Sequence, residues 1–119
     1  MFTITTIKLV VLALMLVLAS STAMAEPRWC GGTVSRLFMY RNGEVYVVPS
    51  WRNDGVRVCN INQDSGTVTP QNCAAWFSLL RNAATNKENT VIFYDDAPAC
   101  DTMPTYNNAP VPGYVMLVD

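Results

Sequence analysis

The clearest pattern of hydrophobic and polar positions lies between Val56 and Asp95. Val56-Arg57-Val58-Cys59-Asn60-Ile61 is short and rich in β-formers. Cys73, Trp76, Phe77, Leu80 and Ala84 then recur at i, i+3, i+4, i+7 spacing, which makes one apolar stripe on a helix. Gln71, Asn72, Ser78, Arg81 and Asn82 fall mostly off that stripe. Thr69 is placed as N-cap, because its hydroxyl can accept from a free first-turn N–H. Pro70 follows at the first helical position, where its missing N–H costs nothing. Asn86 reads as the C-cap, and Lys87 beyond it suits the negative end of the helix dipole. At helical spacing, Trp76 and Phe77 read as core rather than as a binding site. Thr90 to Tyr94 is a further β run.

Upstream, Thr33–Tyr40 and Glu44–Val48 flank Asn42-Gly43, which predicts a hairpin with a type I′ turn. Pro49 ends the second strand or places it at an edge. Ser50 to Gly55 is a turn and Val56–Ile61 the third strand. Thr90–Tyr94 and Gly113–Val118 are the fourth and fifth. Between them Asp95–Pro112 carries Pro98, Pro104, Pro110 and Pro112. A loop that long in a small domain is either functional or stapled down. The order β-β-β-α-β-β predicts a mainly β fold with one helix. It matches an OB-fold-like small barrel with the helix plugging its open end. The alternative is an open α+β sheet with the helix on one face.

The N-terminus changes the picture of where the chain works. Lys8, the apolar run Leu9–Leu18 and Ala23-Met24-Ala25 form a secretory signal peptide, with cleavage expected before Glu26. The run is too short to span a membrane, so no stable membrane insertion is expected after cleavage. Residues 1–25 are thus the signal and residues 26–119 a single domain, periplasmic or secreted by a bacterium. Without Lys8, that domain holds Lys87 and six arginines against nine acidic residues. Such a balance has no electrostatic footprint for nucleic acid. Arginine in place of lysine favours planar, bidentate contacts.

Cys30, Cys59, Cys73 and Cys100 all lie in the mature part. An even count in an exported domain reads as two disulfides. Of three pairings, Cys59–Cys73 and Cys30–Cys100 are favoured. The first pins the helix N-terminus to the preceding strand, and the second ties the domain's start to the loop before its last strand. With no histidine and no C-x-x-C, a zinc site is not expected, nor any other cofactor.

An enzyme needs a poised acid, base or nucleophile. Asp95 and Asp96 are adjacent on a strand and point to opposite faces, which makes a poor pair. Ser65 has no base beside it in sequence. The chain therefore reads as a binding module. Ser50, Trp51, Arg52, Asn53 and Asp54 combine an aromatic face with the polar groups that suit sugar C–H faces and hydroxyls. The competing reading folds Trp51 back over the domain and pairs Arg52 with a carboxylate. Tyr106, Asn107 and Asn108 are a second candidate patch. The partner is a glycan or the surface of an exported protein. The alternative to glycan binding is a small structural or inhibitor-like envelope protein.

Two resemblances attach to these residues. Pro49-Ser50-Trp51-Arg52, Val58-Cys59-Asn60, Cys73-x-x-Trp76 and the tail from Pro104-Thr105-Tyr106 to Pro112-Gly113-Tyr114-Val115-Met116-Leu117 resemble a family of small exported bacterial proteins with no assigned activity. The element order and cysteine placement over Val56–Tyr94 resemble the OB-fold B subunits of bacterial toxins, the subtilase cytotoxin B subunit among them. That second resemblance implies a ring homo-oligomer that binds cell-surface glycans, and carries over no sugar-contact residue.

Overall fold

A computed structural model describes residues 25–118, so the expected signal peptide, residues 1–25, lies outside the described residues except for Ala25. Among the described residues six strands and one α-helix follow in order: β1 Glu26–Gly32, β2 Val34–Met39, β3 Glu44–Pro49, β4 Val56–Asn60, α1 Pro70–Asn86, β5 Asn89–Ala97 and β6 Tyr114–Val118. A 3-10 turn, Cys100–Thr102, lies between the last two strands. The strands form two antiparallel sheets, β1-β5-β6 and β2-β3-β4. The fold is mainly β with one helix, as the hydrophobic pattern predicts.

Three expectations are corrected. First, β1 precedes the strand expected at Thr33–Tyr40. Its Glu-Pro-Arg-Trp-Cys-Gly-Gly sequence hides it, because Pro and Gly are poor strand formers. As an edge strand beside β5 it tolerates Pro27, next to an irregularity in register between Glu26 and Arg28. Second, the sheets do not close into a barrel. The chain passes from one sheet to the other at Thr33, where Ser50 N donates to Thr33 O at 2.9 Å. On the far side β4 and β6 do not pair. The segment between β5 and β6 fills that seam instead, with a single bridge from Val56 to Tyr106. Third, the β2–β3 hairpin is not type I′. Gly43 N donates to Tyr40 O, Tyr40 N donates to Glu44 O, and of Asn42 and Gly43 only Gly43 has positive φ, at 94°. That is a type I turn closed by a glycine bulge, in which Asn42 needs no left-handed backbone.

The helix begins as read. Thr69 Oγ1 accepts from Asn72 N at 3.2 Å, and Pro70 opens the first turn. Asn86 is the last helical residue, and the cap falls one place later on Lys87, left-handed at φ 55°. Glu88 N then closes onto Ala83 O at 2.9 Å, as in a Schellman end. Cys73, Leu80 and Ala83 are buried, with Trp76, Phe77 and Ala84 packed on the core beside them. The helix stripe meets Val45, Val47, Val56, Val58, Ile92, Tyr94 and Met103 in one cluster drawn from both sheets and the long loop.

Both expected disulfides form. Cys59–Cys73 joins β4 to the first turn of α1, and Cys30–Cys100 joins β1 to the 3-10 turn, each with a Cα–Cα distance of 5.6 Å. They fit an oxidising compartment. No described helix is long and apolar enough to cross a membrane. Their sequence separations are 14 and 70 residues. Loop entropy then predicts that replacing Cys59 and Cys73 by serine lowers unfolding free energy by about 3 kcal/mol, and Cys30 and Cys100 by about 4 kcal/mol. Denaturant unfolding of the two double variants checks both the sizes and their order.

Candidate functional site

Behind β3 the chain coils tightly. Arg52 N and Asn53 N both donate to Pro49 O, at 3.2 and 2.7 Å. Asn53 is left-handed at φ 57°, and Asp54 Oδ1 accepts from Gly55 N at 2.7 Å. The loop before β6 arrives here. Tyr106 N donates to Gly55 O at 2.8 Å, and Tyr106 is itself left-handed at φ 53°. A Cβ on Gly55 would stand 3.2 Å from two carbons of the Tyr106 ring, so the ring packs closely over the glycine.

Three described residues other than glycine have positive φ: Asn53, Lys87 and Tyr106. Lys87 is explained by the helix end it caps. The other two lie on a single groove. Left-handed backbone is costly for a tyrosine, and such strain collects at ligand sites.

The groove has a volume of about 570 Å³. Phe38 and Val48 supply apolar lining from β2 and β3, and Tyr106 adds an aromatic ring. Ser35, Arg36, Asn53 and Asp54 supply polar groups. Ser35 Oγ donates to Val48 O at 3.1 Å. Arg36 and Asp54 carry opposite charges, and neither is ion-paired with another described residue. Aromatic wall, hydroxyl, amide, guanidinium and carboxylate thus share one open cleft.

A second apolar cluster builds its wall. Tyr46 is 1% exposed yet lies outside the main core. Phe38 stacks on it at 5.2 Å, and Tyr40 and Tyr106 tilt against it at 4.9 and 5.7 Å. Its hydroxyl donates to Glu44 Oε2 at 2.8 Å, and Glu44 Oε1 lies 3.5 Å from Arg57 Nη1. Burial first, then the Glu44 hydrogen bond, pushes the Tyr46 hydroxyl up to about 12. Burial alone raises that of Tyr94.

The expected site residues divide. Asn53 and Asp54 of one patch and Tyr106 of the other meet in the groove. Trp51 packs on the core, edge-on to Tyr94 at 6.4 Å, and Arg52 Nε donates to Met103 O at 2.8 Å, a carbonyl in place of the expected carboxylate. Ser50 Oγ accepts from Thr33 N at 3.1 Å where the sheets join. Asn107 is exposed in the turn beyond Tyr106. Ser35, Arg36 and Phe38 are additions. Partly buried Leu37 packs on the core between them, so the alternation of a half-buried strand turns Arg36 and Phe38 outward.

A different row crosses the other sheet, where Trp29, Phe93 and Tyr114 sit in register on β1, β5 and β6. Their rings lie 5.2 and 4.7 Å apart, and Trp29 Nε1 donates to Tyr114 OH at 3.0 Å. Phe93 and Tyr114 are stacked, while Trp29 is tilted against Phe93 and is 63% exposed. Among the described residues no three His, Cys, Asp or Glu side chains gather to hold a metal. No family model, curated protein or solved structure matches the chain.

Two outcomes follow. Gly55→Ala places a Cβ 3.2 Å from the Tyr106 ring, so the ring must give by a few tenths of an ångström, read as a shift of the Tyr106 ring signals by NMR. The two buried tyrosines set an alkaline limit. Their folded pKa values exceed the unfolded value near 10, so the stability they add is whole below about pH 10. It is lost as pH rises through the folded values. Tyr46→Phe should reduce the loss of stability near pH 12, measured by denaturant unfolding against pH.

Proposed function

We propose that this protein is an exported, non-catalytic binding module that takes a glycan in the groove lined by Asn53–Gly55, Tyr106 and the outward face of β2. The observation that carries the reading is the meeting of two left-handed residues, Asn53 and Tyr106, on one cleft with mixed aromatic and polar lining. A pyranose ring offers C–H faces to Phe38 and Tyr106 and hydroxyls to Ser35, Asn53, Asp54 and Arg36. Hydrogen bonds to charged groups are the stronger kind, so Asp54 and Arg36 set orientation. Two disulfides and the signal-like N-terminus support a periplasmic or secreted location.

A second observation supports self-association, or contact with another exported protein. β6 is an edge strand with the sequence Tyr-Val-Met-Leu-Val, free of Pro and charge. Edges are normally guarded by such residues, and an unguarded one invites another strand. Tyr114, Met116, Leu117 and Val118 are all exposed along it. A ring oligomer would multiply weak glycan contacts through effective concentration.

A glycan array probed with the mature, oxidised protein tests the reading. Asp54→Asn and Tyr106→Ala are each expected to weaken the strongest hit by about 10-fold or more, the loss of roughly 1.4 kcal/mol. Trp51→Phe is expected to leave it unchanged. Binding that survives both groove variants, or no binding by wild type, overturns the groove as a glycan site.

A further inference from the structure

We infer that Tyr46 is a positioning residue of the groove, the ring that fixes how far apart Phe38 and Tyr106 stand. The inference rests on the glycan reading only for its consequence in binding; the positioning itself stands on the geometry. Phe38 and Tyr106 come from segments far apart in sequence, and both line the groove. Both lean on Tyr46, Phe38 face to face at an interplanar angle of 4° and Tyr106 tilted at 47°. Tyr46 is buried by these rings and Tyr40, outside the main core, so its enclosure depends on the surfaces it supports.

The ring is held at its far end as well. Its hydroxyl donates to Glu44, and Glu44 is held by Arg57 across the β3–β4 pair. Two rotatable bonds are thereby fixed by one hydrogen bond and three ring contacts. Tyr106 is otherwise exposed, at 43%, on a loop whose backbone is strained at that residue. Without Tyr46 that side chain has no ring to rest on, and the groove loses the fixed wall that a bound ring would stack against. Preorganised side chains of this kind raise affinity by removing an ordering cost from the binding step.

The test uses aromatic carbon–proton NMR of the mature, oxidised protein, together with affinity for the strongest wild-type array hit. In Tyr46→Leu the Phe38 and Tyr106 ring signals should move toward those of exposed rings, and affinity should fall at least about 10-fold. Tyr46→Phe loses the hydroxyl's bond to Glu44 and keeps the stacking, so both ring signals should move in the same direction as in Tyr46→Leu by less, and binding should be largely retained. Glu44→Ala, which keeps every ring, should shift both signals in the same direction as Tyr46→Leu and by less, and it serves if the leucine variant does not fold. Ring signals unchanged in Tyr46→Leu or in Glu44→Ala overturn the inference, as does a phenylalanine variant as impaired as the leucine one. If wild type binds no glycan, the groove reading fails and the ring signals still decide the role of Tyr46.

Discussion

The contact between Gly55 and Tyr106 is the point on which both the architecture and the site depend. One amide-to-carbonyl bond of 2.8 Å joins the loop before β6 to the start of β4, on the side where the two sheets do not pair. A small domain buries too little surface to leave such a seam open. The seam is therefore covered by a loop, and Cys30–Cys100 limits the loop's freedom by fixing its early part to β1. The groove lies beside that closure, lined by the polar turn and by Tyr106, which packs against Gly55.

Cooperation between the disulfides and the helix explains how a long irregular segment stays ordered. Cys59–Cys73 sets α1 against β4, so the buried stripe from Cys73 to Ala83 reaches both sheets. Met103, just beyond the 3-10 turn, is fully buried in the same cluster and accepts from Arg52 through its carbonyl. Arg52 and Trp51 thus hold the turn to the core from beneath, while Asn53 and Asp54 face the groove.

Much of this was legible in the chain because the signals were local. Thr69-Pro70 marks a helix start by hydrogen bonding and φ alone, and the apolar spacing from Cys73 marks its buried face. The disulfide pairing followed from which elements each cysteine could tie. What escaped was set by tertiary context. Pro27, Gly31 and Gly32 disguise β1: its edge position tolerates Pro27, and Gly32 leaves room for the Ser50 side chain. The open seam between β4 and β6 depends on where a proline-rich loop lies, which no periodicity encodes. At the site, Asn53, Asp54 and Tyr106 were recognisable as polar and aromatic residues outside regular elements. Their meeting, and the part played by Ser35, Arg36 and Phe38, needed the strand's facing and the loop's path. Trp51 shows the converse. An aromatic in a turn has no local face to hide on, yet here the core lies directly beneath it.

The central claim is that the Asn53–Gly55 turn and Tyr106 together form the ligand site. The most direct test is an amide chemical-shift map of the mature protein titrated with the strongest hit from a glycan array. The account predicts that perturbations concentrate at Ser35, Arg36, Asn53 to Val56 and Tyr106, saturating with one affinity. Perturbations confined to Trp29, Phe93 and Tyr114, with the groove silent, would contradict it.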